Sequence, residues 1–319
     1  MANQKIVVTL RTLLLMKRGR FAPSPTGRMH LGNVFSALLS WLSVKSQGGE
    51  WLLRIEDIDP ARSRAEYADQ LIDDLEWLGL TWDGHPVYQS QRTDIYEHYF
   101  EILREKNITY PCYCSRADLL ATQAPHESDG RVVYPGTCRN RPFQPGLPAA
   151  VRLMVPDRDV TFVDGHYGRL SVNLARHVGD FIIRRKDGAW AYQLAVVIDD
   201  ALMGVTEVVR GRDLLLSSPQ QCYIAECLGV SVPRFIHLPL LCNDAGQRLS
   251  KRDLSLDLGT LREHCSASQI IGCLAYLARL QPYPRPTSAC DLLSCFSWDR
   301  IPVDDIRLDS GSSAHYLYE

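Results

Sequence analysis

The sequence has no apolar run long enough to cross a bilayer. Its nearest candidate, Ile6–Met16, is about 11 residues and is interrupted by Arg11, against the ~20 apolar residues that a spanning helix needs. No membrane partner is expected. A secretory leader, an internal repeat and a low-complexity tract are also missing, so most of the ten cysteines are expected to be reduced thiols in a cytoplasmic protein. There is no excess of one charge either. A net charge of −2 excludes the global basic field of a non-specific nucleic-acid binder. Lysine is scarce, six against 29 arginines. Arginine's planar fork suits carboxylates and phosphates, but a G+C-rich genome produces the same bias, so the ratio alone assigns no function.

What is present is an ordinary globular composition, 45% apolar and 23% charged over 319 residues, a length that suggests about two domains. Residues 18–111 read as α/β. A strand ends at Phe21 and an apolar stripe at helical spacing starts at Leu31. Glu50–Ile55 makes a second strand after Gly48-Gly49, the acidic turn Glu56-Asp-Ile-Asp-Pro60 follows, and helical patterns lie around 65–78 and 92–106. Strands alternating with amphipathic helices predict a Rossmann-like, doubly wound parallel sheet. Such sheets bind ligands at the carboxyl ends of their strands, where Arg20–Gly27 and Glu56–Asp59 would lie.

Residues 112–170 break the rhythm with prolines, glycines, short strands and the clustered cysteines, as an inserted subdomain would. The α/β pattern is expected to return over 171–252 with Phe181–Arg184, Tyr192–Val197 and Glu207–Val209, then a helix near Pro219–Leu228. His237–Leu241 leads into a basic loop, and 253–319 reads as a short helical tail with a pattern near 260–280 and a proline-rich break at Pro282–Pro286.

Two segments carry chemistry. In Arg20-Phe-Ala-Pro-Ser-Pro-Thr-Gly-Arg-Met-His-Leu-Gly-Asn33, Pro23 and Pro25 fix the loop's φ angles. His30 and Gly32 then fall on the first turn of a helix, where unpaired N–H groups and the helix dipole favour a phosphate. Gly32, without a side chain, lets a flat base approach the backbone. Two hundred residues later, Arg248-Leu-Ser-Lys-Arg252 follows the turn residues Asn243-Asp-Ala-Gly246. Three cations on an exposed loop could close over a polyphosphate, although basic loops are more often plain solvated surface.

Together these segments resemble the paired signatures of class I aminoacyl-tRNA synthetases, and the first looks like the glutamyl branch. Arg54-Ile-Glu-Asp-Ile-Asp59, Gln89-Ser-Gln-Arg92, Asp180-Phe181, Tyr192–Asp200 and Val209-Arg-Gly211 agree in order. The resemblance implies activation of glutamate by ATP, with Mg²⁺, to an adenylate. His30 and Lys251 would be the catalytic pair that stabilises charge on the phosphates. His30, Gly32, Asn33, Arg248, Leu249, Ser250 and Lys251 would contact ATP. Glutamate would meet Arg20, Phe21, Ala22, Pro23, Ser24, Glu56, Tyr192 and Arg210: two guanidiniums for its carboxylates, Glu56 for its ammonium, and Tyr192 and Ser24 as neutral hydrogen-bonding groups. The family's second histidine is Asn33 here, and arginine replaces the first lysine and last serine of the loop signature.

Cys112, Cys114 and Cys138, close in sequence in a segment lacking its own large core, suit a structural Zn²⁺. Chemistry alone leaves the fourth ligand open: His126 is the ordinary choice, whereas a tyrosine must shed a proton from a pKa of about 10. The resemblance implies Cys112, Cys114, Tyr134 and Cys138. It also bears on the acceptor. Full-length glutamyl enzymes carry a large helical anticodon-binding region after the basic loop, which the residues from Asp253 are too few to build. The Arg-Gly-Glu-Asp-His segment of those enzymes is Arg210-Gly-Arg-Asp-Leu214 here. The match is closer to the truncated glutamyl-queuosine tRNA(Asp) synthetase paralogues, which implies transfer of glutamate to queuosine in the anticodon loop of tRNA(Asp) by a monomer. Charging of a tRNA 3′ end without an anticodon domain, and a non-catalytic glutamate- or tRNA-binding paralogue, remain open at this point.

Overall fold

The structure, a computed structural model, describes residues 16–115, 118, 133–243, 245–249 and 257–308. Twelve strands are described in chain order: β1 (Arg18–Phe21), β2 (Glu50–Ile55), β3 (Val87–Tyr88), β4 (Thr109–Cys112), β5 (Ala150–Leu153), β6 (Asp159–Asp164), β7 (Gly168–Asn173), β8 (Phe181–Arg184), β9 (Glu207–Gly211), β10 (Arg234–Leu238), β11 (Leu241–Cys242) and β12 (Ile306–Arg307). Interleaved helices are α1 (Leu31–Lys45), α2 (Ala65–Trp77), α3 (Thr93–Glu105), α4 (Leu174–His177), α5 (Tyr192–Leu202), α6 (Ser218–Leu228), α7 (Leu258–His264) and α8 (Ala267–Leu277).

The central sheet runs β10-β9-β1-β2-β3 with every pair parallel. From β1 the chain steps one way to β2 and β3; from β9 it steps the other way to β10. The direction of winding therefore reverses between β1 and β9, and the crevice that opens at such a switch is the usual ligand site of this architecture. Helix α1 crosses from β1 to β2 and buries Leu31, Val34, Phe35, Leu38, Leu39, Trp41 and Leu42. Each such fully buried side chain contributes about 1.5–3 kcal/mol. The helix gives way through Gly48 at φ +67° to Gly49, whose absent side chain lets Lys17 O approach: a Cβ there would sit 2.4 Å from that oxygen.

A second core gathers Tyr96, Phe100, Leu103, Trp190, Leu194 and Ile198 from α3, α5 and the segment before it. Antiparallel strands β4-β5-β8 form a separate sheet, and β6-β7 a hairpin. Two expectations fail here. Phe181–Arg184 joins the antiparallel sheet rather than the parallel one. Tyr192–Val197 opens helix α5, because an apolar run buried on all sides looks the same as a strand in sequence. Within the tail, the 260–280 pattern is two helices, α7 and α8, split where Ser266 caps the second by a capping box with Gln269. Strand β12 then returns to pair with β11. No helix among the described residues is long and apolar enough to cross a membrane.

Candidate active site

Strands β1, β2, β9 and β10 end at one edge of the sheet, and the loops leaving them wall a cleft of about 710 Å³. The loop after β1 is held by backbone bonds: Pro23 O accepts the Glu56 N–H at 2.9 Å and Pro25 O accepts that of Arg64 at 3.0 Å. Phe21 packs its ring on Trp51 with centroids 6.0 Å apart. Arg20, Glu56, Tyr192 and Arg210 all line this cleft, with Phe21, Ala22, Pro23 and Ser24 beside them.

The cleft is built on buried charge. Residues Arg54 and Glu56, two apart at the end of β2, fall on one face of the sheet. The Arg54 guanidinium is fully buried, donating to Asp200 Oδ1 at 2.6 Å and to Glu56 Oε1 at 3.1 Å, with Asp199 Oδ2 3.8 Å from its Nε. Arg20 Nε donates to the same Asp200 oxygen at 3.4 Å. Burial opposes the charge on Asp200, but Arg54 and Arg20 outweigh it and hold that carboxyl below its ordinary value. For Glu56, burial wins over Arg54 and Arg20, and its pKa is raised.

Arg210 is different. Its three hydrogen bonds go to neutral groups: Nε to His237 Nε2 at 3.0 Å, Nη1 to Tyr192 Oη at 3.4 Å and Nη2 to Ser218 Oγ at 2.8 Å. Among the described residues no ion pair reaches it, although only 5% of it is exposed. Burial lowers its pKa. A buried cation held by neutral acceptors is costly unless an anion completes the site.

His30 caps the helix start. Its Nδ1 accepts the Gly32 N–H at 3.1 Å, while Asn33 Oδ1 accepts the His30 N–H at 3.1 Å. Asn33 thus closes a capping box, a structural task that a side-chain amide performs well. All three residues line the cleft. The segment after the basic loop returns to this point, since Asp257 bridges His30 and Leu258 N–H donates to Met29 O at 2.8 Å. Arg248 pairs with Asp213. Leu249 is buried at the rim, its N–H bonded to Leu241 O at 2.9 Å. Ser250 and Lys251 lie outside the described residues.

Away from the cleft, the Sγ atoms of Cys112, Cys114 and Cys138 lie within 4.8 Å of one another, with Cys114 and Cys138 3.5 Å apart. The Tyr134 hydroxyl is 3.5 Å from Cys112 Sγ and 3.9 Å from Cys114 Sγ, and accepts the Cys138 N–H at 2.9 Å. A tetrahedral ion with ~2.3 Å bonds sets its sulfurs about 3.8 Å apart, so these four donors fit Zn²⁺. Burial works against the Cys138 thiolate, yet the Tyr113 backbone N–H and the neighbouring Tyr134 and Cys114 bring its pKa down to about 7. Tyr134 is held in place by Arg152, whose guanidinium stacks 3.6 Å over its ring, and by Gly179, where a Cβ would strike Tyr134 O at 2.3 Å. His126 lies outside the described residues.

A family model described as tRNA synthetases class I (E and Q), catalytic domain, matches residues 17–269. The chain belongs to this family. Sequence relatives agree: it is 50% identical over 248 residues to a glutamyl-Q tRNA(Asp) synthetase of Neisseria meningitidis, covering 76% of this chain and 83% of that one. It is 43% identical to a protein of the same name from Nitratidesulfovibrio vulgaris, over 90% of this chain and 94% of that one. The crystal structure of a glutamate tRNA ligase from Elizabethkingia meningosepticum, in complex with its amino acid, superposes with a TM-score of 0.79 at 29% identity, covering 94% of this chain and 68% of that one. The chain is therefore a class I synthetase and a ligase, an enzyme class that uses ATP with Mg²⁺ and acts on an amino acid and a tRNA.

Sequence reasoning missed the groups that hold the synthetase's site together. No role was assigned to Arg54, Asp199 and Asp200, which lie inside the matching segments, or to Asp164, Ser218 and His237. Arg54 had a signal, being a charge inside the apolar strand Trp51-Leu-Leu-Arg-Ile55; so did His237, inside Phe235-Ile-His-Leu238. Asp199 is fully buried and accepts from Gln89, Arg92 and Tyr96 at 2.6–2.8 Å, partners that only the tertiary fold supplies.

Proposed function

We propose that this synthetase activates glutamate with ATP and transfers it to the queuosine base of tRNA(Asp). The α-carboxylate of glutamate attacks the α-phosphorus of ATP, the bond to pyrophosphate breaks, and glutamyl-adenylate forms. A hydroxyl of the queuosine cyclopentene ring then attacks the activated carbonyl; the ester forms, AMP leaves and the hydroxyl proton passes to solvent. The observation that carries this reading is Arg210, a buried guanidinium with neutral partners, facing a cleft that also holds Arg20 and the Glu56 carboxylate. Two guanidiniums match the two carboxylates of glutamate, and Glu56 matches its ammonium. The names of the relatives support the acceptor.

His30, Gly32 and Asn33 are the contacts for ATP at the start of α1, where the dipole favours phosphate; Arg248, Leu249, Ser250 and Lys251 complete them. No group on the protein is covalently modified, so rate comes from positioning and from fixed positive charge. Incubation with ATP, labelled glutamate and tRNA from queuosine-containing or queuosine-free cells tests this. Label is expected on tRNA(Asp), and only with the former. Label on tRNA(Glu), or on neither, overturns the reading.

Cys112, Cys114, Tyr134 and Cys138 hold a structural Zn²⁺. Metal analysis of the purified synthetase is expected to find about one zinc per chain, and Cys138→Ser is expected to lower that occupancy and the thermal midpoint together. Less than about a tenth of an equivalent in the unmodified protein overturns the assignment.

A further inference from the structure

We infer that His237, anchored by Asp164, is a positioning residue that aims the Arg210 guanidinium into the cleft. Both are fully buried. His237 sits on β10 beside Arg210 on β9, at directly paired positions of the parallel ladder. Arg210 Nε can only donate, so His237 Nε2, 3.0 Å away, must accept. The ring proton is then on Nδ1, which donates to Asp164 Oδ2 at 2.6 Å. Asp164 fixes this tautomer as the triad aspartate of serine proteases does for its histidine. The ring stays neutral: burial lowers its pKa, with Arg210 adding to that effect against the pull of Asp164.

Asp164 is itself over-determined. It closes β6, and its Oδ1 accepts the N–H groups of His166 and Tyr167, both at 2.9 Å, and of His237 at 3.3 Å. Gly165 N–H donates to Phe235 O at 2.8 Å, docking the hairpin turn on β10. Ser218 Oγ, 3.3 Å from His237 Nε2, accepts from Arg210 Nη2. Nε and both Nη are thus held by neutral groups, and among the described residues no ion pair reaches the guanidinium. The β6–β7 hairpin thereby contributes to amino-acid binding without touching the ligand.

This inference rests on Arg210 binding a glutamate carboxylate, so that point is tested separately. Two substitutions of His237 each keep half of its bonding. The side-chain amide of His237→Asn replaces the Nδ1 donor to Asp164 and loses the acceptor for Arg210; His237→Gln keeps the acceptor and loses the donor. In ATP–pyrophosphate exchange with tRNA present, His237→Asn is expected to raise KM for glutamate about tenfold or more, the scale of a lost hydrogen bond to a charged group. KM for ATP and kcat should hold. His237→Gln is expected to stay within about threefold of the unmodified enzyme. In an Arg210→Ala background, His237→Asn should add less than about twofold, because its effect runs through Arg210.

Equal KM effects from Asn and Gln, no effect from either, or an undiminished effect in the Arg210→Ala background overturns the positioning role and leaves His237 a core residue. Unchanged glutamate KM in Arg210→Ala alone instead overturns the reading of Arg210. If His237→Asn fails to fold, Asp164→Asn serves: its amide can donate to Nδ1 and drive the ring proton to Nε2 against Arg210, so glutamate KM is expected to rise with KM for ATP unchanged, and no rise overturns the inference.

Discussion

Replacing Arg54 with alanine is expected to destabilise the synthetase by about 3–5 kcal/mol, the cost of removing one partner from a buried ionic cluster. The side chain is fully buried and faces three carboxylates, with Asp200 at 2.6 Å, Glu56 at 3.1 Å and Asp199 at 3.8 Å. Without it, Asp199 and Asp200 keep other donors, but their mutual repulsion and that of Glu56 lose their central cation. Burial opposes ionisation of Arg54, and the surrounding carboxylates reverse that effect, raising its pKa. Denaturant unfolding measures the loss as a lower midpoint at unchanged slope. Arg54→Lys is expected to recover less than half, since one ammonium cannot reproduce a fork that reaches several oxygens. A loss under about 1 kcal/mol for Arg54→Ala would mean that the cluster relaxes into hydrated pairs, and would remove the basis for a rigid β2 end.

Lys251→Ala is expected to lower ATP–pyrophosphate exchange by about 10²–10³ while leaving the thermal midpoint unchanged, the usual effect of deleting one group that stabilises transition-state charge. This expectation rests on the proposed role of Lys251 in stabilising charge on the phosphates of ATP. Leu249 lines the cleft, and Asp257 is bridged to His30, so the described residues on both sides of the basic segment meet the cleft wall that holds His30. The two substitutions separate two kinds of charge: Arg54 organises the pocket before any ligand arrives, whereas the role proposed for Lys251 is on charge that develops during reaction. Near-normal exchange in Lys251→Ala would sink the catalytic assignment.

Elements with one wet face were legible from sequence. Helix α3, polar outside and apolar at Tyr96, Phe100 and Leu103, falls within two residues of its expected limits, as does α2. Helix α5 was not, because Leu194–Asp200 are all buried and burial on every side erases the 3.6-residue signature. The same reasoning divides the site. Spacing on the two motif loops, together with a resemblance, pointed to residues that the fold brings to one cleft, among them Arg20, His30, Glu56 and Arg210. Asp164 and His237, 73 residues apart in sequence, meet only because the β6–β7 turn docks on β10, a contact with no local pattern. Asn33 shows the converse case: it departs from the family's usual histidine, and in the fold its side chain caps the start of α1 by accepting the His30 N–H.

The order of strands in the central sheet has a consequence for biosynthesis. β1 lies between β2, which follows within about 30 residues, and β9, whose Glu207 pairs with Gly19 from 188 positions away. At ~5–20 residues per second of translation, the β9 side of β1 stays open on the ribosome for about 10–40 s. An open parallel edge is a hazard for unwanted pairing. β1 answers with only four residues, Arg18-Gly-Arg-Phe21, two of them cationic. The guanidinium that later faces the ligand cleft thus also guards a nascent edge, one residue serving the chain before it is finished and the enzyme afterwards.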